Sequence, residues 1–198
     1  VEPLRNHSGT IAVVPGDHID TDRIIPARFL SRVSRFGYGE LLFADVRSAD
    51  FALDKPEAAG ATILVVGLNF GCGSSREHAV WAIQQAGFRA VIARRTADSP
   101  GFSDIFRSNA ANCGLLLIEL SEDAHGFLSG LGSGAGCSID LAAQTVGAGG
   151  ITFEFEIAAS QKEAILEGRD LIGSTLVYQH EISAFEAKHN AFTPVHRS

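Results

Sequence analysis

Residues 61–93 read ATILVVGLNFGCGSSREHAVWAIQQAGFRAVIA, and the order of patterns within them decides the fold. Ala61 to Gly67 is a continuous apolar run bounded by glycine, which is how a strand buried on both faces reads. A short link leads to Gly71-Cys72-Gly73. Ala79, Val80, Ala82, Ile83 and Ala86 then recur at helical spacing, and Gly87 stands where a helix commonly ends in a left-handed residue. Phe88 to Ala93 is the next strand. Strand, glycine loop, helix and strand fit within about 30 residues, the size of a right-handed βαβ crossover.

The flanks extend the pattern in both directions. Downstream, Asp104 to Ala111 reads as a helix stopped by Gly114, Leu115 to Leu120 as another strand, and Ser121-Glu122-Asp123 as the cap of a short helix. Ser129 to Gly136 is rich in glycine and serine and reads as a flexible connection. Ile139 to Val146 and Ile151 to Ile157 flank Gly147-Ala148-Gly149-Gly150, and the alternation of the second run predicts a half-buried hairpin strand. Gln161 to Glu167, and part of Ser183 to His189, read as helices. Upstream, Ser8 to Pro15 is a β-rich run closed by Pro15-Gly16, and a polar acidic loop follows from Asp17 to Asp22. Ala27 to Ala44, loosened by Gly37 and Gly39, reads as a long functional loop rather than a core element. With no internal repeat and no domain linker, one α/β domain over residues 1–198 is expected, its mixed-strand core flanked by helices.

Composition narrows the function classes. The 198 residues are 45% hydrophobic and 20% charged, within the range of ordinary globular chains. The net charge is −7 and there is no clustered Lys/Arg run, so nucleic acid is not an expected partner. No apolar stretch approaches the roughly 20 residues that span a bilayer. The start, Val1 to His7, lacks the basic-then-apolar order of a signal peptide, so the expected location is the cytoplasm. Cys72, Cys113 and Cys137 form no CxxC pair and read as packed or loop thiols, with no metal expected on this chain.

The segment Gly71-Cys72-Gly73-Ser74-Ser75-Arg76-Glu77-His78 holds the strongest chemical signal. Two glycines permit a sharp turn and close approach of backbone to a ligand. Ser74 and Glu77 have the S-x-x-E spacing of a capping box, so a helix is expected to start there. A helix start favours an anion, and Arg76 adds a planar fork that matches a carboxylate. The same spacing equally describes a plain cap beside a solvated arginine, and His78 equally reads as a packed first-turn residue. It is not a Walker A loop, since no Gly-Lys-Ser/Thr follows. Asp17, Asp20 and Asp22 alternate as metal ligands can, but also as residues of Asx turns do; no EF-hand continuation follows.

Taken together, Asp20-Thr21-Asp22-Arg23-Ile24-Ile25-Pro26, Phe70 to Ala79, Asp104-Ile105-Phe106 with Asn109, and Gly114-Leu115-Leu116 resemble the swivelling domain of the aconitase superfamily, from about Ser8 to Asn190. The stand-alone length, the segments Phe29 to Gly39 and Leu42 to Arg47, and the tail Phe185 to Lys188 with Ala191-Phe192 are similar to the small-subunit family of bacterial isopropylmalate dehydratases. His18 departs from the pattern, standing where that family more often has asparagine; the exchange bears on the turn, not on the Asp20–Asp22 match.

The resemblance implies a swivelling β/β/α fold like the aconitase C-terminal domain, and roles by position. Ser74 matches the base that takes a proton from the carbon beside a carboxylate, and Arg76 matches an arginine that binds substrate carboxylate, assisted by Ser75. Asp22 with Thr21 matches an acidic position that orients the site, and Phe29, Leu30, Ser31 and Arg32 fall on the substrate-selecting segment. The implied reaction converts 2-isopropylmalate to 3-isopropylmalate by loss and return of water. The implied partners are a small dicarboxylate and the 3-isopropylmalate dehydratase large subunit, which would carry a [4Fe–4S] cluster that this chain lacks. The rivals are the small subunit of a related hydro-lyase acting on citraconate, dimethylmalate or homoaconitate, and a non-catalytic anion-binding module.

Overall fold

The computed structural model describes residues 2–31, 34–169, 175–176 and 178–188. Its strands are β1 (Asn6–Val13), β2 (Ile63–Val66), β3 (Ala90–Arg94), β4 (Leu116–Leu120), β5 (Gly136–Asp140), β6 (Thr145–Ala148) and β7 (Ile151–Glu154). Its helices are α1 (Thr21–Ile24), α2 (Glu77–Gln85), α3 (Asp104–Cys113), α4 (Glu122–Gly130) and α5 (Ala159–Glu167), with Gln179–Lys188 helical beyond them. The seven strands form one sheet in the order β4-β3-β2-β1-β5-β6-β7. β1 to β4 run parallel, and β5, β6 and β7 join antiparallel on the other side of β1.

Strand periodicity explains the layering. Successive side chains of a strand point to opposite faces, and β2 is buried at all four positions. Leu64 and Val66 pack with Val80 and Ile83 of α2 and Phe106 and Ala110 of α3. Ile63 and Val65 pack with Leu128 of α4, with Cys137, Ile139 and Val146 of the antiparallel half, and with Ile165 of α5. The mixed sheet therefore has α2 and α3 against one face and α4, α5 and its own antiparallel half against the other, an α/β fold with a mixed-strand core flanked by helices.

Several local readings need correction. Ser129 to Gly136, read as a flexible connection, is tied down: Gly134 N donates to Ile11 O at 2.8 Å, Ile11 N to Ala135 O at 3.0 Å, and Val13 N to Ser133 Oγ at 3.0 Å. Small residues there let the chain lie against β1. Ile139 to Val146, the first run flanking Gly147-Ala148-Gly149-Gly150, contains a turn of its own. Asp140 Oδ1 accepts from Ala143 N at 2.8 Å and Gln144 takes φ 57°, a side-chain-stabilised turn that divides β5 from β6. The hairpin turn proper is Gly149-Gly150, both at positive φ. The 27–44 loop is in part core, because Tyr38, Leu42 and Phe43 are fully buried. Arg32, His189, Asn190, Ala191 and Phe192 lie outside the described residues.

Candidate active site

The site forms beyond the carboxyl ends of β1 and β2, where open α/β sheets place ligands. Two segments leave the sheet side by side and stay hydrogen-bonded. His18 N donates to Leu68 O at 2.8 Å, Gly71 N to Ile19 O at 2.8 Å and Thr21 N to Cys72 O at 2.9 Å. Asp17 starts this seam: its Oδ1 accepts from Leu68 N at 2.8 Å and its Oδ2 from Arg94 Nη2 at 2.6 Å. The Leu68 amide, ahead of Arg94, holds the Asp17 carboxyl below its ordinary range, against the opposing effect of burial. His18 and Asn69 both sit at positive φ and join side chains, Asn69 Nδ2 to His18 Nδ1, at 3.1 Å. Histidine, like asparagine, is among the residue types enriched in the left-handed region, so His18 is accommodated there.

The seam brings Asp20-Thr21-Asp22 against Cys72-Gly73-Ser74. Asp20 caps α1 by accepting from Arg23 N at 2.7 Å and forms a parallel bridge with Cys72. Thr21 is 1% exposed, and its hydroxyl donates to Ser74 O at 2.9 Å. That makes Thr21 a holder of the Ser74 backbone. Thr21→Val keeps the shape and removes the donor, so it is expected to cost about 1 kcal/mol. The urea midpoint should fall at constant slope; an unshifted midpoint would show that the bond contributes nothing.

Ser74 and Ser75 are exposed, and among the described residues the Ser74 hydroxyl takes no protein hydrogen bond. Ser75 Oγ accepts from Asn109 Nδ2 on α3 at 3.4 Å. Arg76 is turned inward: its side chain is 13% exposed, and Nη1 pairs with Asp22 Oδ1, whose side chain is 55% exposed. The arginine is thus anchored from one N–H rather than solvated.

The capping box does not form. α2 begins at Glu77 with Arg76 at the N-cap and no side-chain capping bond. Glu77 instead accepts from Cys113 Sγ at 3.2 Å. Ser74 therefore stands two residues before the cap, in the glycine turn itself. Gly71 and Gly73 hold that turn at φ 74° and 93°. His78 packs between Tyr38 and Trp81, with ring centroids 5.4 and 4.7 Å away. Of the residues expected to select the substrate, Phe29 packs against the core and its carbonyl accepts from Tyr38 Oη at 3.4 Å, Leu30 is half-buried and Ser31 is exposed.

Asp17, Asp20 and Asp22 do not converge, since each has its own partner. Among the described residues no group of three or more His, Cys, Asp or Glu side chains could hold a metal. Burial, with the Glu77 carboxylate next, pushes the Cys113 thiol up to about 12, and burial pushes Cys137 to about 11. Burial, then Asp20, raises Cys72. Sequence reasoning missed Ser103, which caps α3 and donates to Gly71 O at 2.7 Å. Its signal was the serine just before Asp104, a usual N-cap choice.

The Aconitase C-terminal domain family matches residues 1–123. The 3-isopropylmalate dehydratase small subunit of Halalkalibacterium halodurans is 46% identical over 197 residues, covering 94% of this chain and 98% of that protein. The small subunit of the same name from Acidobacterium capsulatum is 45% identical over 195 residues, covering 96% and 92%. The crystal structure of 3-isopropylmalate dehydratase from Methanocaldococcus jannaschii is 30% identical, with a TM-score of 0.66 over 92% of this chain and 98% of that one.

Proposed function

The chain belongs to the 3-isopropylmalate dehydratase small-subunit family within the aconitase superfamily, and from that premise we propose how its residues share the chemistry. The activity is that of a hydro-lyase of leucine biosynthesis, exercised together with a large subunit. The substrate is 2-isopropylmalate. A proton leaves the carbon beside one carboxylate as hydroxide leaves the neighbouring carbon, and water then returns to the alkene in the opposite sense, giving 3-isopropylmalate.

Ser74 Oγ is the base for that proton. A serine hydroxyl is a weak base, so its alkoxide needs nearby N–H groups and a cation; the glycine turn and Arg76 are the groups at hand. Arg76 binds a substrate carboxylate through N–H groups not engaged by Asp22, and Asp22 fixes the plane of the fork. Ser75, oriented by Asn109, is a second contact to the carboxylate. Phe29, Leu30, Ser31 and Arg32 select the substrate side chain. The family assigns activation of the departing hydroxyl to a [4Fe–4S] cluster on the large subunit. This chain handles the proton and the carboxylates. It acts as one swivelling domain, in the cytoplasm, without nucleic acid; among the described residues no helix is long and apolar enough to cross a membrane.

The observation that carries this reading is the seam tying Thr21-Asp22 to Ser74-Arg76, which sets a hydroxyl and a guanidinium on one turn. The test is turnover by the chain paired with its large subunit. 2-Isopropylmalate is expected to be the preferred substrate; faster turnover of citraconate, dimethylmalate or homoaconitate would reassign the specificity, and no turnover of any would remove the reading.

A further inference from the structure

The segment between Ser34 and Gly39 is built to hold one aromatic ring in the open. Phe36 is 82% exposed, the most exposed of the large apolar residues among those described. Its backbone is nevertheless pinned on both sides. Gln85, in the last turn of α2, staples the segment with its side-chain amide: Oε1 accepts from Tyr38 N at 2.9 Å and Nε2 donates to Arg35 O at 2.7 Å. Phe36 N donates to Ser34 Oγ at 3.1 Å. Arg35 lies over the Trp81 ring, its guanidinium carbon 5.2 Å from the centroid. Tyr38 is fully buried, and a Cβ on Gly39 would lie 2.5 Å from the Gln85 backbone, so the segment packs directly on the helix. An aromatic side chain on a fixed backbone loses little entropy when it is covered, which is the property of an interface anchor.

Charge indicates what covers it. From Arg23 to Tyr38 the sequence carries Arg23, Arg28, Arg32 and Arg35 and no acidic residue, while the whole chain has a net charge of −7. Arg28 is paired with Asp45; the excess of positive charge that is left in this stretch of an otherwise acidic chain fits an apolar socket with an acidic rim. The segment also packs along α2, the helix that starts directly after Ser74 and Arg76. That helix is roughly 13 Å long at 1.5 Å per residue, so a partner completing the active site is within reach of both ends.

We propose that Phe36, held out by the Gln85 staple, is an anchor by which this chain docks on the large subunit, in an acid-rimmed apolar socket of that partner. The inference rests on the family reading above, and the experiment separates the two. Wild-type chain and Phe36→Ala are titrated into the large subunit, and dissociation constant, turnover at saturation and Tm are read. Phe36→Ala is expected to weaken binding about tenfold or more, with saturated turnover and Tm unchanged. Gln85→Leu cuts both staple bonds and leaves the ring, so it weakens binding too, and the double variant is no weaker than Phe36→Ala alone. Added salt should weaken wild-type binding.

An unchanged dissociation constant for Phe36→Ala overturns the proposal. So does a loss confined to turnover or KM, which would move the ring to the substrate, and so does break-up of a small-subunit homo-oligomer with large-subunit affinity intact. Salt-independent wild-type binding overturns the acidic rim. Wild-type chain that binds no large subunit removes the family reading of the partner and this inference with it; wild-type chain that binds but turns over no substrate removes only the reading of the reaction.

Discussion

Ser74→Ala, assembled with an intact large subunit, is expected to lose turnover by about 10³-fold while folding and docking as wild type does. A positioned general base contributes roughly 10²–10⁴ in rate, which sets the scale. The structure makes the substitution clean. The seam holds Ser74 by its carbonyl, through Thr21 Oγ, and that bond survives removal of the side-chain oxygen. The hydroxyl is exposed and has no protein hydrogen bond among the described residues, so its loss leaves nothing buried and unpaired. The fall should lie in kcat, with KM for the dicarboxylate little changed, because a base as proposed here acts on the transferring proton and not on ground-state binding. Arg76→Lys is expected to affect KM as well. Lysine keeps the charge but loses the planar fork that Asp22 orients, so KM should rise along with the loss of rate. Wild-type turnover by the alanine variant with a verified cluster in the partner would end the assignment of the base.

The elements that were legible from sequence are those whose signal is local. The all-apolar run at Ile63–Val66, the helical spacing over Glu77–Gln85 and the glycine after it lie in one stretch of chain and fold as they read. Gly114 caps α3 in the left-handed conformation, as a glycine after a helical pattern should. What failed depends on contacts between distant residues. The S-x-x-E spacing of Ser74 and Glu77 promised a capping box, yet Thr21 holds the Ser74 backbone and Cys113 takes the Glu77 carboxylate. A loop motif cannot show that its helix will start two residues late. Ser129 to Gly136 looked loose because composition does not reveal that Ile11 offers it two backbone hydrogen bonds. In the site, family resemblance singled out Ser74, Arg76, Asp22 and Thr21, and the structure brings the four together. The inward turn of Arg76 in its pair with Asp22 and the Ser103 bond to Gly71 were not legible, since both are facts of packing.

The two glycines of the turn look equivalent in sequence and are not equivalent in space. Gly71→Ala is expected to destabilise the chain by about 2–5 kcal/mol, from a left-handed backbone cost of roughly 1–2 kcal/mol plus overpacking of about 1–3 kcal/mol. Gly71 has φ 74°, and a Cβ there would lie 2.3 Å from Phe106 Cγ. Phe106 cannot yield, being fully buried, edge-on to Phe70 at 5.3 Å and stacked on Phe102 at 6.1 Å. Nor can the backbone back away: Gly71 N is bonded to Ile19 O and Gly71 O accepts from Ser103, so movement breaks the seam that carries Ser74. At Gly73 the φ is 93°, but the nearest heavy atom to an added Cβ is Thr21 Oγ1 at 3.5 Å, ordinary contact. Gly73→Ala is therefore expected to bear only the backbone cost. For a chain of this size each kcal/mol moves Tm by roughly 2–4 °C, so the two midpoints should separate by several degrees, with Gly71→Ala the lower. Equal midpoints would mean that the Phe106 ring gives way, and that the turn is held by its hydrogen bonds rather than wedged against the aromatic core.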